Sequence, residues 1–181
     1  MTNRRYLLID GSCRDSILHE ELGSGLVDFV QLRLKNKSRI RLGVIAEMVA
    51  ELLAEYDVPF ILNDEPDWAH ELGAAGVHLG QLDASPHSVR AKYGKDFVIG
   101  VTAKTVEQAL RAQEDGANYL GCGAIFQSMT KPDAVRMDIE LLTQICAAVQ
   151  IPVYAIGGVT HENAHLLRDT GVHGIAYMIK D

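Results

Sequence analysis

Two acidic residues stand where short apolar runs of the sequence end. Asp64 follows the run at 60–62, and Asp83 lies just beyond the run at 77–79. Both runs are too short for a helix and are bounded by turn-forming residues, which predicts two strands with a helix over 66–72 between them. Such a unit forms a parallel pair whose functional groups lie at the carboxyl ends of the strands. Two carboxylates on one rim predict a hard-cation site, most simply Mg²⁺ holding a substrate phosphate.

Neighbouring residues leave other interpretations open. An aspartate after a strand also caps the following helix, which is the ordinary role for either acid taken alone. Asn63 precedes the first acid and places an amide at the same strand end. His78 lies inside the second strand, where a hydrogen-bonded core histidine and a functional one are both possible.

Polar residues alternate at the end of the second apolar run, over 28–33 and just beyond it. Alternation sends Gln31, Arg33 and Lys35 to one side of this strand. A bound anion would explain polar groups there, because arginine offers a planar fork of donors and lysine a point charge. A solvated strand end with surface charges is the alternative.

Hydroxyl groups and one lysine follow two later runs. Thr102 stands at the end of the run at 97–101. Ser128, Thr130 and Lys131 lie in a loop after the run at 118–121. Two hydroxyls and an ammonium group on one loop can surround a diphosphate with donors.

A pair of glycines follows the apolar run at 153–156. Gly157 and Gly158 precede a segment in which we expect a helix to begin at Thr160 or His161. Backbone N–H groups at such a junction can meet a phosphate. The pair therefore predicts a second phosphate-binding position.

The elements that must position these residues alternate along the chain. Helical patterns cover 38–56, 105–115 and 138–149, the first with an apolar stripe. We count eight strands with seven helices between them. The predicted strands are 6–9, 28–33, 60–62, 77–79, 97–101, 118–121, 153–156 and 174–179.

This alternation predicts an α/β fold, a (β/α)₈ TIM barrel, with its active site at the carboxyl ends of the strands. An open doubly wound sheet is the alternative. The sequence stops at Asp181, directly after the eighth predicted strand. We therefore expect the eighth outer helix to be absent and self-association into a homo-oligomer to be possible.

Length and composition limit the class of protein. The 181 residues predict a single domain, 1–181, and the content of 48% hydrophobic and 23% charged residues is ordinary for a globular protein. No apolar run approaches the ~20 residues that cross a bilayer, and none resembles a secretory signal. The net charge of −7 argues against bulk nucleic-acid binding. The 3 cysteines show no metal-ligand spacing, which favours a cytoplasmic protein.

Six short motifs occur in order at the predicted strand ends. They are QLR-x-K, ND, GVHLGQ-x-D, GVT, SMTK and AIGG. With them, the chain resembles the thiamine phosphate synthase (thiamine-phosphate pyrophosphorylase) family from about residue 6 to residue 178. The resemblance implies a barrel enzyme, a transferase of thiamine biosynthesis. Such an enzyme joins hydroxymethylpyrimidine diphosphate to hydroxyethylthiazole phosphate and releases diphosphate with Mg²⁺.

The resemblance also implies roles for individual residues. Asp64 and Asp83 would hold Mg²⁺. The diphosphate-bearing pyrimidine would meet Arg33, Lys35 and Asn63, with Gln31 beside them and Thr102 at the pyrimidine, while Ser128, Thr130 and Gly158 would bind the thiazole phosphate and Lys131 the diphosphate. His78 and Gly157 complete the predicted substrate-binding set. Neutralisation of the leaving diphosphate by Mg²⁺, Arg33, Lys35 and Lys131 would drive catalysis without a protein nucleophile.

Two other functions remain open at this point. The related thiazole tautomerase shares the barrel, but it is expected to carry a catalytic histidine where this chain has Ala124. A non-catalytic relative of the synthase that binds a phosphate-bearing ligand is the second alternative, motivated by the short C-terminus.

Overall fold

The computed structural model describes residues 4–12, 15–34, 38–127 and 135–179. Eight parallel strands form a closed barrel in chain order, and the barrel closes where β1 pairs with β8. The strands are β1 Arg4–Ile9, β2 Val27–Leu32, β3 Phe60–Asn63, β4 Gly76–Leu79, β5 Val98–Ala103, β6 Tyr119–Cys122, β7 Val153–Ile156 and β8 Gly174–Met178. The predicted (β/α)₈ barrel is confirmed, and the doubly wound alternative is excluded.

The helices alternate with the strands around the outside of the barrel. They are α1 Asp15–Gly23, α2 Arg39–Ala54, α3 Pro66–Glu71, α4 Pro86–Tyr93, α5 Val106–Glu114 and α6 Ile139–Ala148, followed by the four-residue 3₁₀ helix Ala164–Leu167. Side-chain caps set several starts: the hydroxyls of Ser38, Ser85 and Thr105 accept backbone N–H groups of α2, α4 and α5. Within the described residues no helix follows β8, and none is long and apolar enough to span a membrane.

One predicted element is wrong. The helix expected from Thr160 or His161 does not form, and turns followed by the short 3₁₀ helix replace it. Thr160 and Asn163 nevertheless cap each other as at a helix start: Thr160 N donates to Asn163 Oδ1 at 2.8 Å, Asn163 N donates to Thr160 Oγ1 at 3.3 Å, and Ala164 N donates to Thr160 O at 2.9 Å. The segment that follows is rich in residues of low helix propensity, among them Asn163, His165 and Asp169, and the chain passes into the short 3₁₀ helix instead of an α-helix.

Two apolar layers follow from the alternation of side chains along the strands. The larger layer lies between the strands and the helices and includes Leu7, Leu62, Ile99 and Leu142. The barrel interior is a separate cluster of Tyr6, Leu8, Tyr119, Tyr154 and Ala176, with Phe29 packed against it. Because this interior is rich in tyrosine, its hydroxyl groups need hydrogen-bond partners inside the barrel.

The amino-terminal end of the barrel carries an ionic cluster around Asp28. Arg4 Nε donates to Asp28 Oδ1 at 2.6 Å, and Tyr154 Oη donates to Asp28 Oδ2 at 2.5 Å. His173 Nε2 lies 3.3 Å from the same Oδ2. These residues come from the starts of β1, β2 and β7 and from the turn before β8, so the cluster joins the strands at the end opposite the predicted site.

Candidate active site

Asp64 occupies a constrained turn at the carboxyl end of β3. Its backbone has φ 68°, in the left-handed region that aspartate tolerates better than most residues. Asp64 N donates to His78 O at 2.8 Å, which fixes this turn against β4. The helix-capping alternative is excluded for this acid, because the residue at the N-cap of α3 is Glu65.

Asp83 returns to the same rim from the turn after β4. Its Oδ2 accepts from Gly80 N at 2.6 Å, which holds the carboxylate beside the strand end. The N-cap of α4 is Ser85, so Asp83 does not cap that helix. The structure therefore brings both acids to one rim, in positions that helix capping does not explain.

The carboxyl groups of Asp64 and Asp83 interact electrostatically at this rim. Burial and then the neighbouring Asp83 charge raise the pKa of Asp64 above its ordinary value, while Arg33 opposes the shift. Holding two carboxylates together costs free energy unless a cation lies between them. The pair supplies oxygen ligands of the kind that Mg²⁺ uses together with substrate phosphates and waters. In the described part of the chain, no group of three or more histidine, cysteine or acidic side chains is placed to hold a metal ion.

Arg33 and Gln31 reach the site from β2 in different ways. Arg33 N donates to Ile9 O at 2.8 Å just beyond the strand. The Arg33 charge opposes the rise in the pKa of Asp64 and adds to the larger effect of burial, which lowers the pKa of His78. Gln31 is buried, with 3% of its surface exposed, and its Nε2 donates to Tyr6 Oη at 2.7 Å. Lys35 lies outside the described residues.

His78 and Thr102 face each other inside the mouth of the barrel. His78 Nε2 lies 2.9 Å from Thr102 Oγ1, and His78 Nδ1 lies 3.2 Å from Tyr119 Oη. Burial lowers the pKa of His78 to about 4, so the ring is neutral at pH 7. The Tyr119 hydroxyl in turn lies 2.7 Å from Tyr6 Oη. Our sequence reasoning missed the two tyrosines, although strand alternation places both on the interior side.

The paired glycines allow close packing of two loops. Gly157 and Gly158 have φ 90° and 67°. A Cβ on Gly157 would lie 2.6 Å from Ala124 Cβ, and one on Gly158 would overlap the carbonyl groups of Phe126 and Gln127. No α-helix N-terminus follows the pair, so its contact with a phosphate stays a prediction. Ser128, Thr130 and Lys131 lie outside the described residues.

A cavity of about 220 Å³ opens beside the acidic rim. It lies between α2 and the upper parts of β2 and β3, and its polar wall is formed by Asn63, Asp64 and Glu65. Asn63 and Asp64 are therefore accessible from the rim of the barrel.

Comparisons with known proteins agree with this geometry. The family model described as thiamine monophosphate synthase matches residues 6–180. The thiamine-phosphate synthase of Clostridium tetani is 41% identical over 169 residues, covering 93% of this chain and 80% of that protein. The thiamine-phosphate synthase of Methanobrevibacter smithii is 40% identical over 161 residues, covering 89% and 77%.

Solved structures include a close match in backbone. The thiamine phosphate pyrophosphorylase of Pyrococcus furiosus superimposes with a TM-score of 0.84 at 32% identity, covering 98% of this chain and 86% of that one. Sequence and fold agree across nearly the whole chain. The chain therefore belongs to the thiamine monophosphate synthase family.

Proposed function

We propose that this protein is a thiamine phosphate synthase, a transferase that joins hydroxymethylpyrimidine diphosphate to hydroxyethylthiazole phosphate and gives thiamine phosphate and diphosphate. Membership of the family supports the reaction. The observation that carries the proposal is the rim where Asp64 and Asp83 interact electrostatically with each other and Arg33 offsets their charge. Such a rim suits a diphosphate bound together with a divalent cation.

In this proposal Asp64 and Asp83 would hold Mg²⁺. The ion would neutralise charge on the departing diphosphate. Asn63 and Arg33 lie at the same strand ends and would bind diphosphate oxygens, the arginine through a planar fork of donors. Lys35 and Lys131 are proposed to add positive charge, and Ser128, Thr130 and Gly158 to bind the thiazole phosphate.

The pyrimidine is proposed to lie over the barrel interior, against Gln31, His78 and Thr102. An electron-rich aminopyrimidine stabilises positive charge on its methylene carbon, so the carbon–oxygen bond to diphosphate breaks before the thiazole nitrogen attacks. The electron pair of that bond leaves with the diphosphate, and the nitrogen lone pair forms the new bond. Catalysis then consists of positioning and electrostatic stabilisation.

The thiazole tautomerase alternative is disfavoured at one position. The side chain expected to be a histidine in that group is Ala124 here, and Ala124 lies against Gly157 where the two loops meet. The other alternative is a non-catalytic relative that binds a phosphate-bearing ligand. An activity assay, rather than the sequence, distinguishes it from a synthase.

An omission experiment tests the proposal. The purified protein is incubated with pyrimidine diphosphate, thiazole phosphate and Mg²⁺, and diphosphate release is followed while each component is left out in turn. We expect release only when all three are present. Tight binding of one substrate without release would favour the non-catalytic relative, and rearrangement of a thiazole substrate alone would favour the tautomerase.

Three expectations about the setting of the protein stay predictions. They are a cytoplasmic location, no binding of nucleic acid and self-association into a homo-oligomer. Light scattering of the purified chain measures its mass in solution, and a monomeric mass would contradict the last expectation.

A further inference from the structure

A chain of hydrogen bonds crosses the barrel interior beneath the proposed pyrimidine position. Gln31 Nε2 contacts Tyr6 Oη at 2.7 Å, and Tyr6 Oη contacts Tyr119 Oη at 2.7 Å. Tyr119 Oη lies 3.2 Å from His78 Nδ1, and His78 Nε2 lies 2.9 Å from Thr102 Oγ1. The chain thus links β2 to β5 through side chains of β1, β6 and β4.

Donor and acceptor roles along this chain of hydrogen bonds follow from the chemistry of the side chains. An amide nitrogen only donates, so Tyr6 Oη accepts from Gln31 and turns its own hydrogen toward Tyr119. Tyr119 then has its hydrogen left for His78 Nδ1. A neutral imidazole carries one N–H, so the hydrogen of His78 lies on Nε2 and is donated to the Thr102 oxygen.

The two ends of the chain of hydrogen bonds consequently offer a ligand an acceptor at Gln31 and a donor at Thr102. The Gln31 amide nitrogen is engaged by Tyr6, which leaves Oε1 as the acceptor. The Thr102 oxygen accepts from His78, which leaves the threonine hydrogen as the donor.

Glycines in the strands leave room inside the barrel for the side chains of this hydrogen-bond chain. A Cβ on Gly100 would overlap the ring of Tyr119, and a Cβ on Gly121 would lie 3.1 Å from His78 Cε1. The Tyr119 ring also stacks on Phe29 with centroids 4.9 Å apart. Two glycines and one aromatic contact therefore fix the tyrosine and the histidine in the positions that the chain requires.

We propose that Tyr6 and Tyr119 are positioning residues that set the hydrogen-bonding pattern of the pyrimidine pocket, with Gln31 Oε1 as an acceptor and the Thr102 hydroxyl as a donor. The part concerning the pyrimidine rests on the proposed function. An aminopyrimidine matches this pattern, because its amino group donates and its ring nitrogens accept. A ring with a carbonyl in place of the amino group would meet an acceptor at Gln31 and bind worse.

The tautomer of His78 tests the direction of the chain without any substrate. Long-range ¹H–¹⁵N NMR spectra of ¹⁵N-labelled protein at pH 7 distinguish a protonated from a bare ring nitrogen, and the loss of signals in His78→Gln assigns the ring. We expect the wild-type protein to carry the hydrogen on Nε2. Tyr119→Phe removes the donor to Nδ1, so a population with the hydrogen on Nδ1 appears. Tyr6→Phe leaves the Tyr119 hydroxyl in place and keeps the wild-type tautomer.

Steady-state kinetics test the consequence for binding. Tyr119→Phe and Tyr6→Phe each loosen one end of the chain, and loss of one neutral hydrogen bond predicts a KM for pyrimidine diphosphate about fivefold higher, with kcat within about twofold. Tyr154→Phe is the matched control, because Tyr154 is also an interior tyrosine but donates to Asp28. It should leave both the tautomer and KM unchanged.

A wild-type His78 with its hydrogen on Nδ1, or a Tyr119→Phe protein with an unchanged tautomer, would overturn the direction of the chain. An equal rise in KM for Tyr154→Phe would overturn the positioning role. The tautomers could behave as expected while the wild-type protein forms no thiamine phosphate. That result would support the direction of the hydrogen bonds and refute the proposed function.

Discussion

At the scale of single residues, the site is dominated by two like charges held together. The raised pKa of Asp64, caused by burial and by Asp83, means that the folded state binds a proton more tightly than the unfolded chain. This term lowers the stability of the folded state as pH rises from about 3.8, the ordinary value for aspartate, through the raised value. At neutral pH the metal-free rim is therefore a source of instability that a bound cation would relieve.

Replacing one acid tests this electrostatic account. We expect Asp83→Asn to raise the Tm of the metal-free protein at pH 7, because the amide oxygen still accepts from Gly80 N while the repulsion disappears. Added Mg²⁺ should stabilise the wild-type protein, by about 2.7 kcal/mol at a concentration one hundred times Kd, but not the variant. Thermal unfolding with and without Mg²⁺ measures both effects.

Asp67→Asn provides the matched control for that experiment. Asp67 lies on α3 and contacts Lys92 and Tyr93 rather than the rim. It should keep the Mg²⁺-dependent gain in stability. Equal stabilisation of Asp83→Asn and the wild-type protein by Mg²⁺ would refute the metal assignment.

The positive charge of Arg33 partly offsets the negative charge of the acidic pair at Asp64. We expect Arg33→Gln to lower kcat/KM for pyrimidine diphosphate by about 10- to 100-fold, the loss typical of a hydrogen bond to a charged group. Arg111→Gln on the exposed face of α5 should leave it unchanged, since Arg111 lies away from the rim and pairs with Asp115 among the described residues. Similar losses in both variants would show that overall charge, rather than Arg33, matters.

At the scale of elements, the strands were predictable and one helix was not. Apolar runs bounded by turn formers located every strand to within a few residues, because their side chains are buried on both faces of the barrel wall. The segment after β7 begins with a helix cap in which Thr160 and Asn163 bond to each other, yet residues of low helix propensity follow and only a 3₁₀ helix forms. Low helix propensity along a segment is not visible in its pattern of apolar residues.

Glycines inside strands provide a prediction at this scale. Gly100→Ala in β5 should destabilise the protein by about 2 kcal/mol, because its Cβ would overlap the buried Tyr119 ring. Gly43→Ala in α2 should instead stabilise it by about 0.5–1 kcal/mol, since its Cβ would meet only Leu72 Cδ2 at 4.0 Å. Urea unfolding of both variants measures the difference. A stable Gly100→Ala protein would contradict the close packing at this position.

At the scale of the whole molecule, the barrel separates stability from chemistry. The cluster around Asp28 joins the amino-terminal ends of the strands, whereas the acidic rim lies at the carboxyl ends. This division is usual in barrels of this class.

The division predicts that Asp28→Asn destabilises the protein by about 2 kcal/mol, because charge-assisted hydrogen bonds from Arg4 and Tyr154 weaken. Its KM values should not change. Asp169→Asn, at an exposed position, should alter neither quantity. Denaturant unfolding and kinetics on the same samples check this, and a raised KM in a folded Asp28→Asn protein would contradict the separation.

The sequence specified the barrel and most of the candidate rim, but not the contacts inside it. Asp64, Asp83 and Arg33 were found because strand ends converge in any parallel barrel. Tyr6 and Tyr119 were not, because their pairing joins residues 113 positions apart in the sequence. Such partners depend on which strands face each other across the interior, which periodicity does not reveal.

The most direct measurement follows the whole reaction by ³¹P NMR in one sample. Wild-type protein with pyrimidine diphosphate, thiazole phosphate and Mg²⁺ should form thiamine phosphate and diphosphate in equal amounts. Asp64→Asn should lose most of this activity while remaining folded. Binding of the pyrimidine diphosphate without formation of either product would contradict the account.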